Sequence, residues 1–269
     1  MNNAALNEKV LVVIGGTAGL GLSAARAFVH AGARVVVVGR KRQSVETAAK
    51  ELGSHSRAIS GDAADPQTAV EAIAAAVREF GGFHGLYHVA GGSGRKLGDG
   101  PLHEMTDEGW RGTLDGNLTA LVYSNRAAVR QFLAQGTGGS ILNMSSVLGL
   151  APSARFFATH AYAAAKSAVF GFTKSIAAYY AEKGIRCNVL APALVETPMA
   201  QRAAKDEAIM KFIKTKQPLD GGRIGQPEDL DAAAIFFMSD ASRFTTGQVL
   251  AIDGGWTVSE GQIPATPND

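Results

Sequence analysis

A single doubly wound α/β domain of three layers, with a mostly or fully parallel sheet of seven strands, is predicted by three observations. Short runs rich in Val, Ile and Leu alternate with longer Ala-rich stretches of helical period, which is the pattern of repeated βα units. The apolar runs alternate little between apolar and polar residues, so both of their faces should be buried, as in a parallel sheet covered on each side by helices. A glycine-rich stretch follows the first run directly and leads into the first helical stretch.

In chain order, the expected strands are Val10–Ile14, Arg34–Val38, Arg57–Ser60, Gly85–Val89, Ser140–Met144, Arg186–Leu190 and Val249–Ile252. Between them, Ala24–His30, Ser44–Leu52, Thr68–Phe80, Thr119–Ala134, Ala161–Tyr180 and Glu228–Met238 hold good helix formers and no internal proline. The first helix is expected to begin near Leu22. Right-handed crossovers between parallel strands then distribute the helices over both faces, giving a Rossmann arrangement. No Pro/Ser/Gly-rich linker divides the chain and the last strand lies near the C-terminus, so residues 1–269 read as one domain. Two stretches fit the sheet poorly: Gly92–Pro101, rich in glycine, and Glu196–Gly222, charged and partly helical. Ligands sit beyond the carboxyl ends of strands in such folds, so these are candidate substrate walls, the second a loop insertion at about 196–222. The tail Gln262–Asp269 has two prolines and no apolar period, and is expected to be flexible or to dock on a partner.

Lys plus Arg (26) exceed Asp plus Glu (24) by two, and no basic block stands out, so the footprint of a nucleic-acid binder is missing. The single cysteine, Cys187, cannot close an intramolecular disulfide and reads as a small buried hydrophobe in a strand. The first apolar run is too short for a signal sequence, and no run approaches the roughly 18 apolar residues of a membrane span. A soluble cytoplasmic protein without nucleic-acid or membrane partners is expected. The six histidines show no metal-ligand spacing with cysteine or carboxylates, so no metal is assigned.

Gly15-Gly16-Thr17-Ala18-Gly19-Leu20-Gly21 lies between the first strand and the first helix, the context that a dinucleotide fingerprint needs. Small residues let the backbone approach a pyrophosphate, and the helix N-terminus stabilises its charge. Gly15, Thr17, Gly19, Leu20 and Gly21 are therefore candidate cofactor contacts. NAD sites place Asp or Glu at the end of the second strand, to bond the adenine ribose hydroxyls. Here that strand runs into Gly39-Arg40-Lys41-Arg42, with three cations and no carboxylate. A 2′-phosphate suits such a site, with Arg40 as its first contact, so NADP(H) is expected over NAD(H), which remains possible.

Tyr162-Ala163-Ala164-Ala165-Lys166 puts a phenol and an ammonium on one helical face. A cation ~4 Å from a phenol, at an effective dielectric near 20, favours the phenolate by about 4 kcal/mol, partly offset by desolvation.

With these motifs in order, the chain resembles the short-chain dehydrogenase/reductase family over nearly its whole length. The family's glycine motif matches Gly15, Gly19 and Gly21; its serine after the fifth strand matches Ser146; its tyrosine and lysine match Tyr162 and Lys166; its helix asparagine matches Asn117. Asn188–Thr197 resembles the family's loop around the nicotinamide, and Gly225–Asp229 with Asp253-Gly254-Gly255 resembles its C-terminal signature. The resemblance implies hydride transfer between a nicotinamide and a carbonyl or secondary alcohol, with Tyr162 passing the proton, Ser146 holding the carbonyl oxygen, Lys166 tuning Tyr162 and bonding the ribose, and Asn117 positioning a water behind Lys166. It implies further cofactor contacts at Asp62 and Ala63, Ala90 and Gly91, and Pro192, Val195 and Thr197. It also implies a homotetramer built through the helices around 117–134 and 161–180 and the last strand, with a dimer as second choice.

The chain departs from the family pattern at several points. Ile14 stands where a threonine is expected, His88-Val89 where two asparagines are, Ala193 where a glycine is, and Ala18 where many NADP-dependent members carry a basic residue. Ile14 and Val89 are expected to meet as an apolar contact, with His88 keeping polar capacity. Histidine 160 is expected to be a hydrogen-bonded wall residue. A catalytically silent nucleotide sensor or scaffold of the same fold is the alternative to an enzyme; the complete Asn117, Ser146, Tyr162 and Lys166 set argues against it. Enoyl reduction is disfavoured by the short spacing between tyrosine and lysine. Substrate identity is not legible, although Ala151, Phe156, Phe157, Ala193, Leu194 and Met199 suggest a partly apolar carbonyl compound.

Overall fold

Strands β1 (Val10–Ile14), β2 (Arg34–Gly39), β3 (Ser56–Ser60), β4 (Gly85–His88), β5 (Gly139–Met144), β6 (Ile185–Pro192) and β7 (Val249–Ile252) form one sheet in the computed structural model, which describes residues 5–262. The sheet order is β3-β2-β1-β4-β5-β6-β7, and every neighbouring pair is parallel. Seven strands were expected, and each expected run lies within one to two residues of an observed strand.

The absence of alternation in the strands has a direct structural cause. Every residue of β1 is buried, but successive side chains enter different cores. Leu11 and Val13 join Val35, Val37, Leu142 and Leu190 on one face, under α1 (Gly19–His30) and α9 (Asp231–Met238), which contribute Phe28 and Phe237. Val10, Val12 and Ile14 join Val36, Leu86 and Ile141 on the other, under α3 (Pro66–Phe80), α5 (Ala120–Gln135) and α6 (His160–Tyr180), which contribute Ile73, Phe132 and Ile176. Helix α2 (Arg42–Leu52) completes the first layer through Ala48 and Leu52. Cys187 is fully buried in β6, where burial pushes its thiol pKa up to about 12, so it behaves as the inert apolar residue expected.

Three local expectations need correction. Helix α1 begins at Gly19, not near Leu22, because Ala18 is the extended residue that precedes it and Gly19 takes φ +51, a conformation open to glycine. The helix expected over 119–134 is the second half of a longer one: α4 (Asp107–Leu114) continues through a π-helical turn at Asp115–Thr119 into α5. Its glycines weaken the sequence signal, yet Gly109 is required there, since any Cβ would run into the Gly98 carbonyl carbon. Finally, Ile14 and Val89 belong to cores on opposite faces of the sheet. Backbone bonds link them: the Val89 and Ala90 amides both donate to the Ile14 carbonyl, at 2.8 and 3.0 Å.

The segment at 196–222 holds α7 (Gln201–Ala204) and α8 (Glu207–Lys216). They pack a third, smaller apolar cluster of Ala203, Ile209, Phe212, Ile213 and Trp256 against Val147, with Phe156 and Phe157 at its edge. The expectation for the tail falls outside the described residues except at Gln262. Among the described residues no helix is long and apolar enough to cross a membrane, and no group of three His, Cys, Asp or Glu side chains could hold a metal ion.

Candidate active site

The chain leaves β1 towards β2 and β3, then returns to place β4 on the other side of β1, which opens a crevice beyond the carboxyl ends of β1 and β4. Gly15 lines it at φ +89, and a Cβ there would stand 2.7 Å from the Ala90 amide nitrogen. A Cβ on Gly21 would run into the Gly15 carbonyl, so the loop packs at a spacing that only glycine permits. Ala18 supplies no side-chain cap to α1 and the first turn carries no acidic residue. The amides of Gly19, Leu20 and Gly21 are thus open to an anion, which fits the pyrophosphate of a dinucleotide.

Arg40 follows β2 and Asp62 follows β3, and their side chains approach to 4.0 Å while both remain largely exposed. Gly39, where a ribose-binding carboxylate would stand, lies against the Thr17 hydroxyl, into which any Cβ would run. Beyond β4, Ala90 and Gly91 reach the crevice floor; a Cβ on Gly91 would stand 2.5 Å from Asn117 Oδ1 and 3.4 Å from Lys166 Nζ. Beyond β6, the backbone runs from Pro192 through buried Val195, which forms a parallel bridge to Gly225, to Thr197, whose methyl lies 3.4 Å from the Cβ position of Gly19. The glycine loop is therefore approached at Gly19 by residues of the loop after β6. Ala63 packs at the edge of the second core.

Asn117 sits in the π-helical turn and is buried. Its Nδ2 donates to the carbonyls of Gly92 (2.8 Å) and Thr113 (2.9 Å), and its Oδ1 accepts from the Gly92 amide (3.0 Å). Both amide hydrogens are committed to protein, so Asn117 fastens the start of the glycine-rich wall to the helix, and only Oδ1 has acceptor capacity to spare.

Ser146, Tyr162 and Lys166 converge beyond the end of β5. Ser146 caps a short 3-10 turn, accepting from the Leu148 amide at 3.2 Å. Lys166 is buried, donates to the Met144 carbonyl at 3.1 Å and holds its Nζ 5.5 Å from the centre of the Tyr162 ring. Ser145 donates to the Lys166 carbonyl at 2.6 Å, which ties α6 to the end of β5. Burial brings the Lys166 pKa down to about 8. Burial also raises the Tyr162 phenol above its ordinary value, against the lowering effect of the Ser146 hydroxyl. The net direction is opposite to the depression expected from Lys166, because enclosure of the phenol penalises the phenolate.

The His88 ring lies beneath this group, fully buried, with Nδ1 2.7 Å from Ser124 Oγ and no partner on Nε2. Burial, reinforced by the Lys166 charge, holds its pKa near 3, so it is a neutral imidazole. His160 is the wall residue expected, its Nδ1 3.0 Å from the Gly100 carbonyl.

Sequence reasoning missed Asp99. Helix α6 receives no side-chain cap from its own Thr159. Buried Asp99, in the glycine-rich wall, accepts from the Ala161 amide through Oδ1 (3.0 Å) and from the Tyr162 amide through Oδ2 (2.9 Å). A Gly-Asp-Gly stretch reads as a turn, and nothing in its spacing announces a cap for a helix so far along the chain. Asp99→Ala removes two charge-assisted bonds at a helix N-terminus and is expected to cost about 2–3 kcal/mol. Urea unfolding measures this as a lower midpoint; an unchanged midpoint would contradict the cap.

Comparison with known proteins agrees with this geometry. A family model described as enoyl-(acyl carrier protein) reductase matches residues 15–257. The chain is 34% identical over 255 residues to cis-4-hydroxycyclohexanecarboxylate dehydrogenase of Sinomonas cyclohexanicum, covering 94% of this chain and 98% of the relative. It is 35% identical over 254 residues to cyclohexanol dehydrogenase of an Acinetobacter strain, covering 93% and 96%. Among solved structures, a short-chain type dehydrogenase/reductase from Mycobacterium ulcerans superposes with a TM-score of 0.87 at 31% identity, covering 96% of this chain and 92% of that one.

Proposed function

Because the chain belongs to the short-chain dehydrogenase/reductase family, NAD(P)-dependent oxidoreductases acting on alcohol and carbonyl groups, we propose that it is an NADP(H)-preferring ketoreductase or alcohol dehydrogenase for a secondary alcohol with a partly apolar body. The observation that carries this reading is the convergence of Ser146, Tyr162 and Lys166 beside a glycine loop with open amides. A bound nicotinamide supplies the hydride in reduction and accepts it in oxidation. Tyr162 donates a proton to the developing alkoxide, or removes one from the alcohol. Ser146, next to the phenol, holds the carbonyl oxygen in line with it. Lys166 favours the phenolate and bonds the nicotinamide ribose. Asn117 keeps the wall at Gly92 in place and positions a water behind Lys166 through its spare Oδ1 capacity. Pyrophosphate falls to Gly15, Thr17, Gly19, Leu20 and Gly21, the adenosine side to Asp62, Ala63, Ala90 and Gly91, and the carboxamide to Pro192, Val195 and Thr197. Residues 196–222 form the substrate-loop insertion of a domain that uses the whole chain. Alicyclic alcohols are the first substrates to try, since two relatives are named for cyclohexane-ring alcohols.

Preference for NADP(H) rests on Arg40, Lys41 and Arg42 after β2 and on the Thr17 hydroxyl that bars a side chain at Gly39. NADPH should be favoured over NADH by about tenfold or more in kcat/KM, about 1.4 kcal/mol. Arg40→Asp should reverse the order, because a carboxylate repels a 2′-phosphate and accepts from ribose hydroxyls. Equal efficiency of the two cofactors with the wild-type protein would refute the preference.

Assembly is proposed as a homotetramer, with a dimer as second choice. The groove between α5 and α6, lined by Val122, Val129, Leu133, Phe172, Ile176 and Tyr180 and also by Asn125, Arg126 and Arg130, offers a mixed apolar and basic face to a second copy. Strand β7 is a sheet edge on which Leu250 is exposed. Light scattering should return four chain masses; a monomer at working concentration would sink the proposal.

A further inference from the structure

We infer that Gln217 is a positioning residue for the reaction: its side-chain amide holds the backbone that receives the nicotinamide carboxamide and ties it to α8, in the substrate wall. This rests on the reading of the site as a nicotinamide-dependent oxidoreductase and adds a residue that orients the cofactor without touching it. Strand β6 ends at Pro192, which pairs with Ile252, the last residue of β7. Past that point the ladder stops, and among the described residues the Leu194 amide finds no backbone acceptor. Gln217 supplies one. The Leu194 amide donates to Gln217 Oε1 at 3.0 Å, and Gln217 Nε2 donates to the Leu194 carbonyl at 3.2 Å. A primary amide offers an acceptor and a donor as a peptide group does, so a side chain here stands in for a neighbouring strand. The Gly225 amide also donates to the Leu194 carbonyl, at 3.0 Å, and the Gly225 carbonyl accepts from the Glu196 amide, at 2.8 Å. Val195 and Thr197, assigned to the carboxamide, lie in this same stretch.

Gln217 can hold the loop because it is itself firmly placed. It is buried, and its amide donates to the Ile213 carbonyl at 2.7 Å where α8 ends. Pro218 follows and keeps the helix from continuing. The turn after β7 packs on the same residue: the Leu219 amide donates to the Gly254 carbonyl at 3.0 Å, and a Cβ on Gly254 would stand 3.2 Å from Gln217 Cβ. One turn earlier, Phe212 and Ile213 anchor α8 in the apolar cluster with Trp256 and with Val147, the residue after Ser146. Packing alone leaves the loop room to move, since a cavity of about 250 Å³ lies against it, with Ala193, Leu194, Val195, Leu230 and Ile252 in its lining. Without the Gln217 amide, the Leu194 N–H would lose its acceptor and Gly225 would be the remaining tether. A displaced Leu194 carries Val195 with it and so turns the carboxamide, and the reactive carbon of its ring, relative to Tyr162. A misplacement of about 1 Å at a reacting centre lowers the rate on the order of 10²-fold.

The test titrates the protein with NADPH and with 2′,5′-ADP, the half of the cofactor assigned to Arg40, Asp62 and Ala63 and remote from the loop after β6. Gln217→Met keeps the side-chain length and loses both bonds. In it the NADPH dissociation constant should rise about tenfold or more, while that of 2′,5′-ADP stays within about twofold of the wild type. Gln217→Glu keeps the acceptor for the Leu194 amide but sets a carboxylate oxygen against the Leu194 carbonyl. Protonation of that carboxyl restores the donor, and burial and the facing carbonyl both raise its pKa. The variant-to-wild-type ratio of NADPH dissociation constants should therefore fall towards one as the pH is lowered from about 8 to about 6. A role in folding alone moves neither the difference between the two ligands nor that ratio. NADPH binding unchanged in Gln217→Met, equal weakening of both ligands, or a Gln217→Glu ratio independent of pH would each overturn the inference. Should Gln217→Met fail to fold, the Gln217→Glu ratio decides alone. None of these titrations needs turnover, so a protein that binds NADPH and reduces no ketone would count against the oxidoreductase reading while the role of Gln217 is still decided.

Discussion

Tyr162→Phe should lose roughly 10²- to 10⁴-fold in turnover while NADPH binding is retained, because general acid–base catalysis by a positioned side chain is worth about that much. The substitution removes one oxygen from a half-buried residue and leaves intact its backbone amide, which Asp99 holds at 2.9 Å. The glycine loop and α1 are untouched. Burial raises the wild-type phenol pKa, so Tyr162 is protonated at neutral pH and ready to donate in carbonyl reduction. Alcohol oxidation needs the phenolate, so its rate should climb with pH in the wild type. Fluorescence titration with NADPH beside steady-state rates separates binding from chemistry. A near-normal rate for Tyr162→Phe would mean that another group carries the proton.

Lys166 should show a different pattern, in which activity and stability move in opposite directions. Lys166→Ala removes the cation held 5.5 Å from the Tyr162 ring centre and the proposed ribose contact, so turnover should fall, NADPH binding should weaken, and residual alcohol oxidation should need a higher pH. The sign follows because losing a neighbouring positive charge raises the phenol pKa further. Stability is expected to improve when the volume is kept. Burial lowers the Lys166 pKa from 10.5 to about 8, which at about 1.4 kcal/mol per pH unit is a folding penalty of roughly 3 kcal/mol. Lys166→Met removes that penalty and also one bond to the Met144 carbonyl, worth about 1 kcal/mol, so a net gain of about 2 kcal/mol is expected. Below the folded pKa of about 8, lysine is protonated in both folded and unfolded chains and the penalty is complete. Between about 8 and 10.5 the unfolded chain binds more protons, so wild-type stability rises with pH and the advantage of Lys166→Met shrinks. Denaturation curves at pH 7 and at pH 10 measure this; a variant less stable at pH 7 would show that the bond to Met144 outweighs desolvation.

The parts of the fold that depend on short-range pattern were legible. Runs such as Val10–Ile14 lack alternation because both of their faces are buried, and that alone distinguishes a covered parallel sheet from an exposed one. The glycine loop was legible because a close backbone approach admits few residue types, as Gly15 and Gly21 show. Tyr162 and Lys166 were legible because helical spacing fixes their common face. What failed depended on contacts between distant segments. The helix before Asn117 was hidden by Gly109, whose presence answers to Gly98 in the wall and not to helix propensity. Ile14 and Val89 were paired by their chemistry, but the side-chain alternation of the sheet sends them to opposite faces. Asp99 was invisible because a carboxylate capping another segment's helix leaves no periodic trace, and the net shift of Tyr162 was misjudged because desolvation depends on the finished enclosure.

The claim that this constellation transfers hydride, and does not merely bind a nucleotide, is tested most directly by following the nicotinamide absorbance of NADPH with the wild-type protein and a panel of cyclic ketones, and quantifying the alcohol formed. The account predicts consumption of one NADPH for each alcohol produced, with the reverse reaction on NADP+ and the alcohol favoured at higher pH. Saturable NADPH binding with no ketone reduced and no alcohol oxidised anywhere in the panel would contradict it and mark the protein as a nucleotide-binding member of the family without chemistry.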